Sequence, residues 1–269
     1  MSLQKRLQIA VEAAKQTGKI IQSIYQGEFE VDYKDKAADD PVTVADRESD
    51  RHIKEILLGA FPEDGWLSEE TVDSDERLDK EWVWIVDPID GTREFVKHIP
   101  EFAISIGLVH KSEPVLGVIL NPITNELFTA VKGRGALLNG KSVYVNQIDS
   151  IKQAKLLVSR TYTTKGKLDW LEPYFENFVP MGSIAYKMAA VAQGRGDAVI
   201  SFHPQYEWDV CAGDILIREA GGTFVLPDEN RIRYNRPDAH LPAGTIGCSK
   251  RVVQKLAAFV RQHREELKA

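Results

Sequence analysis

The apolar, β-rich run Trp82-Val83-Trp84-Ile85-Val86 stops abruptly at Asp87-Pro88-Ile89-Asp90-Gly91-Thr92, which reads as a strand emptying into a loop. Two carboxylates so close together repel each other unless a cation lies between them. Pro88 fixes its own φ, the turn carries the second carboxylate round to the side of the first, and the Ile89 carbonyl adds a neutral oxygen ligand. Gly91 lets the backbone approach a phosphate closely, while Thr92 suits a helix cap or the positioning of a water. A polar turn with a cap would explain one of these aspartates. The whole hexamer after a buried strand instead concentrates charge where loops carry function.

Three further acids have the same double reading. In Ser68-Glu69-Glu70 an apolar segment, Gly65-Trp66-Leu67, again delivers acids into a loop, although a glutamate pair by itself also describes a solvated face. Asp46, in Asp40-Pro41-Val42-Thr43-Val44-Ala45-Asp46, is a helix cap or a residue that supports the ligands. Asp209, in Glu207-Trp208-Asp209-Val210, is an acid favoured by a helix dipole or a ligand closing the site from the other half of the chain. All the candidate ligands are oxygens with no His or Cys cluster beside them, a set that selects Mg²⁺ or Mn²⁺ over zinc. Two or three such ions would acidify a water, steady the leaving alkoxide and offset charge on a transferring phosphoryl group without a protein nucleophile.

These residues need a scaffold of mixed type. Apolar residues at steps of three and four predict helices over 3–25 and about 47–60, the second with Asp46 as N-cap and Pro62 as its stop. Strands follow at 82–86, 103–109, 115–120 and 126–131, a mostly antiparallel meander. The second half alternates a strand at 155–159, helices at 168–177 and 183–193, a strand at 197–202 and a helix at 210–220. We expect residues 1–148 to form an α+β half carrying most ligands, and 149–269 an α/β half contributing Asp209 and substrate contacts.

The chain has 269 residues, 43% hydrophobic and 28% charged, enough to bury a sizeable core. A formal charge of −6 opposes wrapping a nucleic-acid polymer. The two cysteines, Cys211 and Cys248, form no metal or disulfide pattern, which suits a reducing cytoplasm. Charges interrupt every N-terminal apolar stretch, so neither a signal peptide nor a membrane span is expected. Residues 135–142 match the phosphate-loop string GxxxxGK(S/T), but Asn139-Gly140 is a hairpin signal and Val143-Tyr144-Val145 follows as strand, where a phosphate loop requires a helix.

Taken together, the segments 40–46, 68–70 and 84–92, with Trp208-Asp209 and Glu219-Ala220-Gly221-Gly222, make the chain resemble the inositol monophosphatase family of metal-dependent phosphatases over nearly its whole length. The resemblance implies a layered αβαβα sandwich of two packed halves with the active site between them. It implies that Glu69, Asp87 and the Ile89 carbonyl hold one Mg²⁺, that Asp87, Asp90 and Asp209 hold a second, and that Glu69 reaches a third. Thr92, oriented by Asp46, would help Glu69 activate water, the Gly91 and Thr92 amides would hold phosphate, and Li⁺ would inhibit.

Within the family, Arg93-Glu94-Phe95, Val158-Ser159-Arg160, Gly182-Ser183 with Lys187, Tyr206-Glu207-Trp208 and Arg233-Tyr234-Asn235 look like the bacterial bisphosphate nucleotidases, which act on 3′-phosphoadenosine 5′-phosphate. Arg160 and Lys187 would then hold a second phosphate, unless they are ordinary surface charge. Phe202 stands where inositol phosphatases place an acid for sugar hydroxyls, and an apolar wall there would suit a base. Inositol 1-phosphate and histidinol phosphate are the alternative substrates. The expected partner is a small phosphorylated molecule, with a homodimer as the assembly allowed for.

Overall fold

A computed structural model describes residues 2–33 and 41–266; Asp40 of the 40–46 segment lies outside them. The N-terminal helix α1 (Leu3–Tyr25) is capped by Ser2 and buries small residues, Ala10, Ala13, Ala14 and Gly18, so that its axis lies close to the sheet beneath. A short antiparallel pair, β1 (Val31–Tyr33) and β2 (Pro41–Thr43), leads into α2 (Val44–Ala60). This helix starts three residues earlier than its apolar pattern predicts, and Asp46 is not its N-cap. Thr43 caps it, accepting from Ala45 N–H at 3.1 Å, while the Asp46 carboxylate reaches back to Thr43 N–H at 2.7 Å. This is a capping box, in which the third helical residue satisfies a donor outside the helix.

The meander forms a seven-stranded sheet in chain order: β3 (Gly65–Ser68), β4 (Trp82–Asp90), then, after the short helix α3 (Thr92–Val96), β5 (Ala103–His110), β6 (Glu113–Asn121), β7 (Glu126–Val131), β8 (Ala136–Leu138) and β9 (Lys141–Val143). Only β3 and β4 pair in parallel. Asn139 (φ 47°) and Gly140 (φ 80°) turn β8 into β9, so the phosphate-loop string is a hairpin.

The second half continues with β10 (Lys155–Ser159), α4 (Arg160–Thr164), β11 (Asn177–Met181), α5 (Ile184–Ala192), β12 (Ala198–Ile200), β13 (Gln205–Tyr206), α6 (Glu207–Glu219), β14 (Gly222–Val225), β15 (His240–Leu241), β16 (Ile246–Ser249) and α7 (Val253–Gln262). Five of these strands form a mixed sheet ordered β11-β10-β12-β16-β14. The helix expected over 168–177 is absent. Pro173 cannot continue one, leaving a single 3₁₀ turn, Asp169–Leu171, before the edge strand β11.

The layers stack as α1 and α2, the seven-stranded sheet, α5 and α6, the five-stranded sheet, and α7, with one apolar cluster in each outer gap and a third spanning both gaps around α5 and α6. This is the αβαβα order expected. Among the described residues, no helix is long and apolar enough to cross a membrane.

Gly107 and Gly117, paired across β5 and β6, set the depth at which α6 sits. A Cβ on Gly107 would lie 2.5 Å from Cys211 Sγ, and one on Gly117 would lie 2.6 Å from the Ala212 carbonyl oxygen. Gly117→Ala is therefore expected to push α6 off the sheet and cost about 1–3 kcal/mol, read as a lower urea midpoint with an unchanged slope.

Candidate metal centre

The acids converge where strands end and helices begin. Between Asp87 and Asp90 the register of β4 against β5 slips, so that the span from Asp87 to Asp90 faces only that from Ser105 to Ala103. The extra residue bends the strand end and re-aims its side chains. Ile89 N–H donates to Asp87 Oδ1 at 3.0 Å, which fixes the turn between the two acids. Asp209 arrives on the first turn of α6, its Oδ2 accepting from Tyr206 N–H at 2.7 Å. Carboxylate oxygens of Asp87, Asp90 and Asp209 all lie within 4.8 Å of one another.

Asp87 and Asp90 are 2% and 9% exposed. Burial, then repulsion from Glu69, Asp90 and Asp209, pushes the Asp87 carboxyl well above its ordinary value. Burial pushes Asp90 up to about 6, against the stabilising Ser183 hydrogen bond and the Lys187 charge. Ser183, held at φ 54° as the N-cap of α5, donates its hydroxyl to Asp90 Oδ2, and Ala185 N–H donates to the same oxygen at 2.5 Å. A positive charge among these acids would relieve their repulsion, and an all-oxygen donor set suits a hard divalent cation.

Glu69 follows β3, where its N–H donates to the Val86 carbonyl at 3.3 Å. Its carboxylate is one of the charges that raise Asp87. Thr92 opens α3 behind Gly91, whose φ of 100° admits little but glycine. The Thr92 hydroxyl lies 2.9 Å from Asp46 Oδ1 and 3.1 Å from the Ile89 carbonyl. Burial lifts Asp46 to about 6, against hydrogen bonds from Thr43 and Thr92.

One cavity of about 220 Å³ is lined by Glu69, Asp87, Ile89, Asp90, Gly91, Thr92, Gly182, Ser183, Lys187 and Asp209, so most of the residues expected at the site are gathered in it. Asp46 stands behind Thr92. The Lys187 ammonium is buried and donates to the carbonyls of Met181 (3.2 Å) and Gly182 (3.4 Å). Gly182 has no room for a side chain, since a Cβ would lie 2.4 Å from Glu94 Cγ.

Other residues singled out in the sequence stand outside the cavity lining. Arg160 does not line the cavity: it forms a forked pair with Glu101 (2.7 and 3.1 Å), so its charge is already matched. Phe202 is packed in the outer core with its ring 6.1 Å from that of Trp170, and it forms no wall of the site. Arg233 pairs with Glu113, Tyr234 donates to buried Asp214, and Asn235 N–H donates to Glu207, all as scaffold. Arg93, Glu94, Ser159 and Thr161 do line the cavity. The first three stand in segments that the family resemblance singled out, whereas neither type nor spacing marks Thr161 apart from a surface residue.

The family model described as "Inositol monophosphatase family" matches residues 2–266. "Inositol monophosphatase 2" of Solanum lycopersicum is 35% identical over 263 residues, covering 91% of this chain and 98% of that one. "Nus factor SuhB" of Haemophilus influenzae is 34% identical over 267 residues, covering 95% of each. Among solved structures, the inositol monophosphatase from Anabaena (Nostoc) sp. PCC 7120 superposes with a TM-score of 0.80 at 28% identity, covering 97% of both chains.

Replacing one repelling acid should stabilise the metal-free fold. In EDTA at pH 7, Asp87→Asn is expected to melt at least about 2 °C above the parent, the shift that roughly 1 kcal/mol produces in a chain of this size. Added Mg²⁺ should raise the parent's melting temperature and leave the variant's almost unmoved.

Proposed function

Because the chain belongs to the inositol monophosphatase family and is accordingly a phosphoric monoester hydrolase, we propose that Mg²⁺ at its acid cluster drives hydrolysis of a small phosphorylated polyol, inositol 1-phosphate being the representative. The observation that carries this reading is the set of three carboxylates within 4.8 Å, two of them buried, beside the Thr92–Asp46 pair. Glu69, Asp87 and the Ile89 carbonyl would hold one ion, and Asp87, Asp90 and Asp209 a second, with Glu69 within reach of a third; Mn²⁺ fits the same oxygens. When bound, such cations supply positive charge against the phosphoryl oxygens and the departing alkoxide and acidify a water.

The protein's own groups do the rest. Thr92 points its proton at Asp46, leaving the oxygen lone pairs to accept from a water in the cavity, and Glu69 takes that water's other proton. The Gly91 and Thr92 amides face the phosphate oxygens. Attack of the water oxygen forms one P–O bond as the ester P–O bond breaks, and the alkoxide leaves with a proton from solvent. No side chain is phosphorylated.

The names of the relatives favour a polyol phosphate, and so does the wall of the cavity, where among the described residues no aromatic ring stands ready to stack on a base. The bisphosphate reading keeps one support: the cations Lys187 and Arg93 line the cavity. Lithium, as a competitor for the acid cluster, would inhibit either activity.

A phosphate-release panel with Mg²⁺ separates these readings. Inositol 1-phosphate is expected to turn over fastest, with Li⁺ lowering the rate. Faster release from 3′-phosphoadenosine 5′-phosphate would overturn the polyol assignment, and no release from any monoester with Mg²⁺ or Mn²⁺ would overturn catalysis in favour of a regulatory or binding protein. Asp209→Asn should lower kcat at least about a hundredfold, roughly 3 kcal/mol of transition-state stabilisation.

A further inference from the structure

Asp50 lies one helical turn after Asp46 on the same face of α2, and both are buried, at 6% and 2% exposure. Asp46 holds Thr92. Asp50 faces the turn that bears Glu69: Ser68 donates its hydroxyl to Asp50 Oδ1, and Thr71 donates its hydroxyl to Oδ2 at 2.5 Å. Thr71 Oγ1 in turn accepts from the Trp66 indole N–H at 3.3 Å. The two tethered residues bracket Glu69 and Glu70, and beyond Thr71 the chain is exposed from Val72 to Glu76 before Arg77 is buried again. Asp50 itself does not line the cavity.

We propose that Asp50 is a positioning residue which, through Ser68 and Thr71, fixes the backbone on both sides of Glu69 and so sets where the Glu69 carboxylate meets the metal cluster. This rests on the metal-dependent reading above. Stability alone gives little reason for a carboxylate at position 50, because an aliphatic side chain there would avoid the desolvation cost. A carboxylate supplies two acceptors in a fixed geometry, and the two hydroxyls they hold lie on either side of the ligand. A long, three-torsion side chain such as Glu69 gains a defined reach only when its own Cα is held. The Glu69 N–H bond to Val86 holds the sheet side of the turn, and Asp50 holds the other. One face of α2 thereby sets both the proposed water-orienting hydroxyl and the metal-binding glutamate.

The test uses the full chain, with Mn²⁺ and Mg²⁺ binding measured by calorimetry alongside kcat, KM and melting temperature in EDTA. Removing both tethers, Ser68→Ala with Thr71→Val, should weaken metal binding about tenfold, the lower end of what loss of ligand-orienting partners costs. It should also lower kcat more than it raises KM, with the EDTA melting temperature falling because Asp50 is left buried without these two donors. Asp50→Leu should match the losses of metal affinity and kcat, and the triple variant should be no worse than either. Unchanged metal affinity in the tether variant, or a loss of melting temperature with affinity intact, overturns the proposal. Should Asp50→Leu fail to fold, the tether variant alone decides. A parent protein that binds neither metal and hydrolyses no monoester sinks the metal-dependent reading instead, so the two failures are distinguishable.

Discussion

Carboxylates packed this closely and this deeply are held together against their own repulsion, and much of the fold serves to make that tolerable. The protein answers with helix starts. Asp46 and Asp209 are each the third residue of a helix, α2 and α6, and each accepts a backbone N–H there. Asp90 takes the second backbone N–H of α5. Three helix N-termini, with their unsatisfied donors and partial positive charge, therefore point towards the end of β4. Buried Lys187 adds a full charge beside Asp90. None of this offsets the burial of Asp87 and the repulsion from its neighbours, and its carboxyl remains pushed up. A cation is what completes the arrangement.

That convergence sets demands on the packing. The helix α6 brings Asp209 to the cluster from the layer between the two sheets, so its height over the seven-stranded sheet sets where that carboxylate lies. The glycine pair on β5 and β6 permits a near backbone contact, and Gly213, where a Cβ would lie 2.7 Å from Met188 Cβ, permits the same against α5. At its N-terminus, fully buried Glu207 takes the N–H groups of Asn235 (2.6 Å) and Arg236 (3.1 Å). Asn235 Oδ1 in turn accepts from Arg77 at 2.7 Å, in the segment that follows Glu69. Acids far apart in sequence are thus braced by one chain of contacts.

The parts legible in sequence are those in which one local pattern decides. The strand before Asp87, the hairpin at Asn139-Gly140 and the long periodic helices α1 and α2 were readable because apolar period and turn chemistry agree there. The helix read over 168–177 fails because Pro173 interrupts it. The start of α2 was misplaced because Thr43 and Asp46 are both good capping residues and only their mutual hydrogen bond chooses between them. The strand β16 and the helix α7 drew no prediction, since β16 is only four residues long and α7 follows it without a strong cap. The metal acids were legible as residue types next to strand and helix ends. Their convergence was supplied by the family resemblance, because spacing cannot bring Asp87 to Asp209.

Substrate selection was least legible, for a physical reason. Arg160, Phe202, Tyr234 and Asn235 look like recognition residues in one dimension, yet an ion pair with Glu101, an aromatic core, a buried Asp214 and the Glu207 strap absorb them. An arginine already forked to a carboxylate has its charge matched, and the same Glu101 also accepts the Gly182 N–H at 2.8 Å. Breaking both contacts would unsettle the turn that carries Ser183, and with it Asp90. The turn that holds Asp90 and the neighbouring cavity wall of Ser159, Thr161 and Glu94 thus depend on one another through Glu101 and Gly182.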